Sequence, residues 1–220
     1  MNIQHHISDP LLLSYAAGGL SEAWSLLVAT HAALCPACRE RAADAEAIGG
    51  SLIEELEPVP LSHSAFVDVL GRLDNEVEIE AAAAKKPTVI PDSPLPEPLR
   101  SYIPISHDSA LPWRRLGFSA FHIPIAMQDR TASARLLRIP AGRPVPEHGH
   151  GGLELTLVLS GAFVDGEARF RSGDVEEADE GLVHTPHAVA GEDCICLAVT
   201  NAPLKFSSRI VRMMQPLLNI

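Results

Sequence analysis

The chain has few of the features that indicate export, a membrane or a disulfide framework. Its 220 residues include only four cysteines, and no uninterrupted apolar run reaches the roughly 18 residues that a transmembrane helix needs. The N-terminal sequence MNIQHHISDP is polar and lacks the apolar segment of a signal peptide. We therefore expect a cytoplasmic protein without a membrane span, in a reducing compartment where disulfides rarely persist.

Basic residues are scarce in the first part of the chain. Residues 1–84 contain 13 Asp and Glu but only three Lys and Arg, whereas the remainder has 15 acidic and 14 basic residues. This charge disfavours nucleic acid as a direct partner, because its phosphates would be repelled. It favours a basic protein partner, including one that itself binds nucleic acid. An acidic surface that only aids solubility is the alternative.

Residues 1–84 carry the signals of four helices. Ser8-Asp9-Pro10 predicts the start of a first helix, and Gly18-Gly19 predicts its end. Ser21 can cap a second helix. A third is expected to run to about Leu56, and a fourth to begin at Ser62. Apolar residues recur at helical spacing in the second and fourth helices, namely Trp24, Leu27 and Val28, then Phe66, Val69, Leu70, Leu73 and Val77.

The pattern changes after a proline-rich segment. Residues 85–98, KKPTVIPDSPLPEP, hold five prolines in fourteen positions and predict a linker. Short runs with period two follow it, such as ARLLRIPAG, LELTLVLSGAF and CICLAVT, and Asp165-Gly166 indicates a hairpin. We therefore expect two domains, an all-α domain over 1–84 and an all-β antiparallel sandwich or barrel over 99–220, with a short final helix over 208–220.

One histidine and two cysteines lie close together in the stretch THAALCPAC. His31, Cys35 and Cys38 have the spacing H-x3-C-x2-C, which places them on one face if the helix continues. Zinc commonly takes four thiolate and imidazole ligands in a tetrahedral shell. His5 and His6 are the candidates for the fourth ligand. The alternative is two small buried cysteines beside an unrelated histidine.

The segment HHISDPLLLSYAAGGLSEAWSLLVATHAALCPAC resembles the zinc-binding anti-sigma domain, and in particular that of the ChrR-type anti-sigma factors. The resemblance assigns the zinc ligands to His6, His31, Cys35 and Cys38. It also implies that residues 1–84 bind an extracytoplasmic-function sigma factor and block its access to RNA polymerase. Such a partner would account for the acidic surface.

A second cluster lies in GRPVPEHGHGGLELTLVLSG, with the spacing G-x5-H-x-H-x3-E-x6-G. His148, His150 and Glu154 fall on the same side of an extended strand, since strand side chains alternate. Two imidazoles and a carboxylate form a good set of ligands for a divalent metal. A later strand would supply the fourth ligand, for which His184 is the first candidate and His187 the second. Unrelated surface histidines are the alternative.

The spacing matches the first motif of the cupin superfamily, which implies a small β-barrel with a metal inside. The second cupin motif is degenerate, because GDVEEADEGLVHTP keeps Gly173 and His184 but lacks the usual proline-glycine pair. A helical zinc domain followed by a cupin again resembles the ChrR-type family over nearly the full chain. This resemblance implies zinc at His148, His150, Glu154 and His184.

These patterns predict a regulator with Zn²⁺ at two sites, of which the second could hold another divalent ion. The resemblance implies that the cupin domain governs release of the sigma factor under oxidative stress, singlet oxygen in particular. The alternative is a metal-dependent cupin dioxygenase or isomerase with an N-terminal zinc domain. Cys194 and Cys196 are expected to pack in the core, with a redox-sensing thiol pair as the alternative.

Overall fold

The computed structural model describes residues 2–74, 95–103, 111–117 and 120–208. The helices within these ranges are α1 (Asp9–Ala16), α2 (Glu22–Leu34), α3 (Pro36–Glu54), α4 (Ala65–Asp74) and α5 (Glu97–Arg100). The four helices expected in the first part of the chain are thus confirmed, and Val77, expected on the fourth, lies outside the described residues. None of the helices in these ranges is both long and apolar enough to cross a membrane.

The remaining described residues are dominated by short strands that pair antiparallel. They form a six-stranded sheet of order β1-β2-β3-β11-β5-β8 and two three-stranded sheets, β10-β6-β7 and β12-β4-β9. Their bounds are β1 (Arg114–Leu116), β2 (Ala120–Ile125), β3 (Ser133–Ile139), β4 (His148–Gly149), β5 (Glu154–Ser160), β6 (Ala162–Asp165), β7 (Ala168–Arg171), β8 (Val175–Ala178), β9 (Val183–His184), β10 (His187–Ala188), β11 (Cys194–Thr200) and β12 (Lys205–Phe206).

The antiparallel pairing of these strands confirms the prediction of an antiparallel β region. Closure of the strands into a barrel stays a prediction. The hairpin expected at Asp165-Gly166 joins β6 to β7 through a two-residue loop. Gly161, the last glycine of the first cupin motif, has φ 72°, and a Cβ there would lie 2.5 Å from the carbonyl oxygen of Asp193. That position therefore requires glycine.

The core follows from the alternation of apolar residues along the central strands. Leu197 on β11 pairs with Leu136 on β3 and with Leu157 on β5, and all three side chains are fully buried. This row packs into one apolar cluster with residues of the helices. The β region thus supplies part of the apolar surface against which the helices are buried.

Helix α2 joins the helical region to the sheet. It contacts α5, β5 and β11, and the predicted apolar positions Trp24, Leu27 and Val28 are buried. Leu95, within the predicted linker, and Leu99 on α5 are buried in the same cluster. The domain bounds 1–84, 85–98 and 99–220 stay a prediction; residues 85–94 of that linker and residues 209–220 of the expected final helix lie outside the described residues.

The shared core predicts the effect of truncating Leu27. Leu27→Ala should lower the free energy of unfolding by about 2–5 kcal/mol, because a fully buried leucine leaves a cavity that its neighbours fill only in part. Leu13→Ala is the matched control, since Leu13 is 56% exposed on α1, and its change should stay within about 0.5 kcal/mol. Urea unfolding followed by tryptophan fluorescence measures both. Equal stability of the two variants would contradict a core that depends on α2.

Candidate metal centres

The first cluster forms where the N-terminal segment meets the junction of α2 and α3. The ligand atoms of His6, His31, Cys35 and Cys38 lie within 4.8 Å of one another. Cys35 stands between the two helices with extended backbone, and Pro36 begins α3, so the helix does not continue through the motif. The side chains nevertheless converge, because Cys38 lies in the first turn of α3 and its backbone N–H points to the Cys35 sulfur, 3.5 Å away.

The spacing of these atoms suits zinc. Nδ1 of His6 lies 3.3 Å from Sγ of Cys35 and 3.5 Å from Sγ of Cys38. Tetrahedral zinc with ordinary Zn–S and Zn–N bonds places sulfur and nitrogen ligands roughly 3.6 Å apart. Burial and the neighbouring Cys35 raise the pKa of Cys38, so a nearby cation would favour the thiolate form of this residue.

His31 presents a free nitrogen to this cluster. Its Nδ1 lies 3.0 Å from the carbonyl oxygen of Gly173, and its buried Nε2 has no hydrogen-bond partner. Burial lowers the pKa of His31 to about 4, so the ring is neutral at physiological pH. A carbonyl only accepts, so the single ring proton sits on Nδ1 and the lone pair on Nε2 points to the cluster. This is the state in which imidazole binds a metal.

Of the two candidates for the fourth ligand, the structure brings His6 to the cluster. The ring of His5 instead packs on Phe170, with centroids 4.4 Å apart, and its Nδ1 lies 3.6 Å from a carboxylate oxygen of Asp174. The sequence reading missed Arg41, whose guanidinium donates to Sγ of Cys38 at 3.8 Å and pairs with Asp9. Its positive charge favours a thiolate at Cys38.

The second cluster joins β4, β9 and the residue that follows β4. His148 and His184 are directly opposite each other in the ladder between these strands. Nε2 of His184 lies 3.2 Å from Nε2 of His148 and 3.1 Å from Nε2 of His150, and all three side chains are buried. Tetrahedral zinc places two imidazole nitrogens roughly 3.3 Å apart. Both distances from His184 are therefore close to the nitrogen–nitrogen separation of a zinc shell.

The opposite nitrogens of these rings face oxygen acceptors. Nδ1 of His148 lies 2.8 Å from the carbonyl oxygen of Pro146, and Nδ1 of His184 lies 2.8 Å from Oδ2 of Asp165. Burial lowers the pKa of His148, which keeps its ring neutral. With the protons on Nδ1, the Nε2 lone pairs converge on one point. Buried imidazole nitrogens arranged in this way form a set of ligands that can hold a divalent cation.

Glu154 occupies a different place from the three histidines. Its Oε2 is buried without a hydrogen bond and lies 3.3 Å from Nδ1 of His150, on the outer side of that ring. Thr156 donates its hydroxyl to Oε1 of Glu154 at 3.3 Å. Glu154 stays a predicted ligand that the structure places beside the cluster. The other candidate, His187, is exposed on β10 and is not in the cluster.

Two acidic residues near the second cluster were not found from the sequence. Asp165 was read only as a turn residue, yet it contacts His184, and Oε1 of Glu176 lies 3.9 Å from Nδ1 of the same ring. Burial and the neighbouring Asp165 raise the pKa of Glu176 to about 8. No local pattern marks either residue, because β6, β8 and β9 meet only in the folded chain.

Cys194 and Cys196 are buried with their sulfurs 3.5 Å apart, which confirms the expected core packing.

Comparison with known proteins identifies the family. Residues 105–204 match the ChrR cupin-like domain. The chain is 49% identical, over 220 residues and the full length of both proteins, to the anti-sigma-E factor ChrR of Cereibacter sphaeroides. The crystal structure of Rhodobacter sphaeroides SigE in complex with the anti-sigma ChrR contains a chain that is 48% identical, with a TM-score of 0.77 over 90% of this chain and 99% of that one. The protein described here belongs to the ChrR family of anti-sigma factors.

Proposed function

We propose that this protein is a zinc-dependent anti-sigma factor whose helical region binds and inhibits an extracytoplasmic-function sigma factor. The similarity to ChrR over the full chain is the observation that carries the proposal. The similarity to the ChrR chain solved with SigE gives the class of partner. Both relatives are anti-sigma factors, which supports a non-enzymatic role for this protein. This similarity argues against the alternative of a cupin dioxygenase or isomerase.

An exposed apolar surface offers the sigma factor a place to bind. We call it the apolar surface of residues 48–70, and its exposed large side chains are Ile48, Leu52, Ile53, Leu56, Val59, Leu61, Phe66, Val67, Val69 and Leu70. None of the α4 residues from Ala65 to Arg72 is buried. So many exposed large apolar side chains in one stretch of the chain indicate a segment that binds a partner. Acidic residues between these positions, such as Glu54 and Glu55, add the negative charge that a basic partner requires.

Zinc at the first cluster would hold this region together. His6 lies in the N-terminal segment, whereas His31, Cys35 and Cys38 lie on α2 and α3 or between them. A bound zinc ion would supply folding free energy, because its four ligands come together only in the folded chain. The four side chains would keep α3 at a defined angle to α2, and α3 carries the first part of the apolar surface of residues 48–70.

The second cluster would serve the response to stress. His148, His150 and His184 converge inside the antiparallel strands, as in a small cupin barrel. Zinc has no redox chemistry of its own, so a zinc site here favours sensing or structure over oxygenase chemistry. Oxidation of a ligand would remove a metal that stabilises the fold. We therefore assign release of the sigma factor under oxidative stress, singlet oxygen in particular, to this region.

The first prediction concerns the apolar surface of residues 48–70. Phe66→Ala should weaken sigma-factor binding by about 2 kcal/mol, roughly 30-fold, because large aromatic side chains dominate interface energies. Val69→Ala should weaken it less. Val183→Ala is the matched control, since Val183 is 63% exposed on β9 and Val69 is 56% exposed on α4. Calorimetric titration with the sigma factor measures all three affinities, and equal affinities for the Val69 and Val183 variants would place the interface elsewhere.

The second prediction concerns the first metal centre. Cys38→Ser should lose one zinc ion per chain and release the sigma factor, because the helical region then loses the metal that stabilises it. Cys194→Ser replaces another buried free cysteine and should keep both ions. Zinc content by mass spectrometry and sigma-factor binding test the pair. Two zinc ions per chain in the Cys38 variant would refute the ligand assignment.

The third prediction separates repression from response. His184→Ala should empty or weaken the second metal site, because the remaining groups bind a metal less tightly. Basal repression should persist, since the apolar surface is untouched, whereas induction by singlet oxygen should be blunted. His187→Ala removes an exposed histidine outside the cluster and should behave as the wild type. A reporter strain scored in the dark and with a photosensitiser measures both properties. Loss of repression together with loss of metal would disprove this division of roles.

A further inference from the structure

The turn between β7 and β8 contacts the N-terminal segment and α2, which both carry ligands of the first metal centre. The carbonyl oxygen of Gly173 accepts the Nδ1–H of His31 at 3.0 Å. Oδ1 of Asp174 accepts the backbone N–H of Gln4 at 2.7 Å and that of His5 at 3.0 Å. We call Gly173 and Asp174 the 173–174 turn. It belongs to the β region, whereas the cluster it supports belongs to the N-terminal part of the chain.

The carboxylate of Asp174 fixes the backbone of residues 4 and 5 through hydrogen bonds. It is 1% exposed, and its second oxygen accepts the N–H of Arg171 at 2.8 Å, so both carboxylate oxygens are occupied. Burial by itself would raise the pKa of Asp174, but the amide hydrogen bonds from His5, Arg171 and Gln4 outweigh it and hold the pKa below its usual range. The residue is therefore an ionised carboxylate that binds amide groups strongly.

The N-terminal segment lies along β8 as a result. The N–H of Val175 donates to the carbonyl oxygen of His5 at 3.1 Å, and the N–H of Ser8 donates to the carboxylate of Glu177 at 2.8 Å. His6 stands between these two contacts. With His5 fixed on the side of Phe170, the next side chain of this extended segment is directed the other way, to the two cysteines.

Gly173 is the glycine that the degenerate second cupin motif retains, and its backbone shows why. Its φ is 94°, in a region that residues with a Cβ rarely adopt. This conformation lets the carbonyl oxygen face His31 while the next residue reaches the amides of residues 4 and 5. A sequence feature of the cupin thus supports the metal centre of the helices.

We propose that Asp174 is a positioning residue for the first metal centre, and that the 173–174 turn orients both of its histidines, His6 and His31. The inference rests on the zinc site assigned under the proposed function and adds that the β region sets its affinity. Groups that orient a metal-binding histidine typically change metal affinity about 10–100-fold when they are removed. Strand β8 begins directly after this turn and carries Glu176, whose Oε1 lies 3.9 Å from Nδ1 of His184 in the second cluster.

Asp174→Asn in the full-length protein tests the role directly. Asparagine keeps the shape but has one acceptor oxygen, so it cannot serve both the amides of residues 4 and 5 and that of Arg171. Added Co²⁺ reports on the first centre alone, because only that centre has cysteine ligands and hence a thiolate-to-metal absorption band. We expect at least tenfold weaker Co²⁺ binding by this band and a shifted visible spectrum, since a histidine leaves its position.

Two controls separate positioning from general damage. Asp179→Asn makes the same change in an exposed carboxylate that accepts the N–H of Gly181 and does not contact residues 4–8, and it should match the wild type. Leu136→Ala removes a fully buried core side chain, and it should lower stability while leaving the Co²⁺ spectrum unchanged. A spectral change in Leu136→Ala equal to that of Asp174→Asn would overturn the proposal.

The outcomes also separate this proposal from the one on which it rests. No thiolate–Co²⁺ band in the wild type would refute the first metal centre itself. A wild-type band with unchanged affinity and spectrum in Asp174→Asn would overturn only the positioning role. If Asp174→Asn does not fold, Gln4→Pro decides, because it removes one amide donor and leaves the carboxylate in place. Wild-type Co²⁺ affinity in that variant would overturn the proposal, and a severalfold loss would support it.

Discussion

The imidazole of His31 links the helices to the sheets, because it contacts both the β region and the first cluster. One of its nitrogens donates to the carbonyl oxygen of Gly173 in the β region, and the other faces His6 and the two cysteines. A buried ring can meet both demands only when it is neutral, and burial lowers its pKa to about 4. The ring therefore connects the core under α2, the candidate zinc site and the turn before β8.

The second cluster uses the same chemistry with other acceptors. Its histidines direct Nδ1 outward, to a backbone carbonyl at His148 and to a carboxylate at His184, and direct Nε2 inward. An oxygen acceptor on the outer nitrogen fixes both the tautomer and the orientation of a ring. In both clusters, hydrogen bonds to groups outside the candidate ligand set orient the histidine rings.

Some apolar residues of the helical region are buried in the core, whereas others are exposed on its surface. Helix α2 buries Trp24, Leu27 and Val28 against the sheet, so it depends on a core that the β region completes. At the end of α3 and between Phe66 and Leu70 on α4, the large apolar side chains are exposed. Large exposed apolar side chains of this kind are typical of a surface that binds a partner. The packing of α2 against the sheet supplies a core for this region that does not involve those exposed side chains.

Local pattern determined much of this protein. Ser8-Asp9-Pro10 and Gly18 predicted the ends of α1, and period two predicted β3, β5 and β11. The H-x3-C-x2-C and H-x-H spacings predicted which side chains converge. These signals depend on residues within one or two turns of each other, which is why a sequence displays them. Tertiary structure decided the rest. It chose His6 over His5 by pairing the N-terminal segment with β8, and it placed Asp174 at that contact, about 170 residues away in sequence. It also placed Asp165 next to Nδ1 of His184 and Glu154 next to Nδ1 of His150. These contacts depend on which strands are neighbours. Strand order is fixed by packing and register over the whole chain, not by local preference.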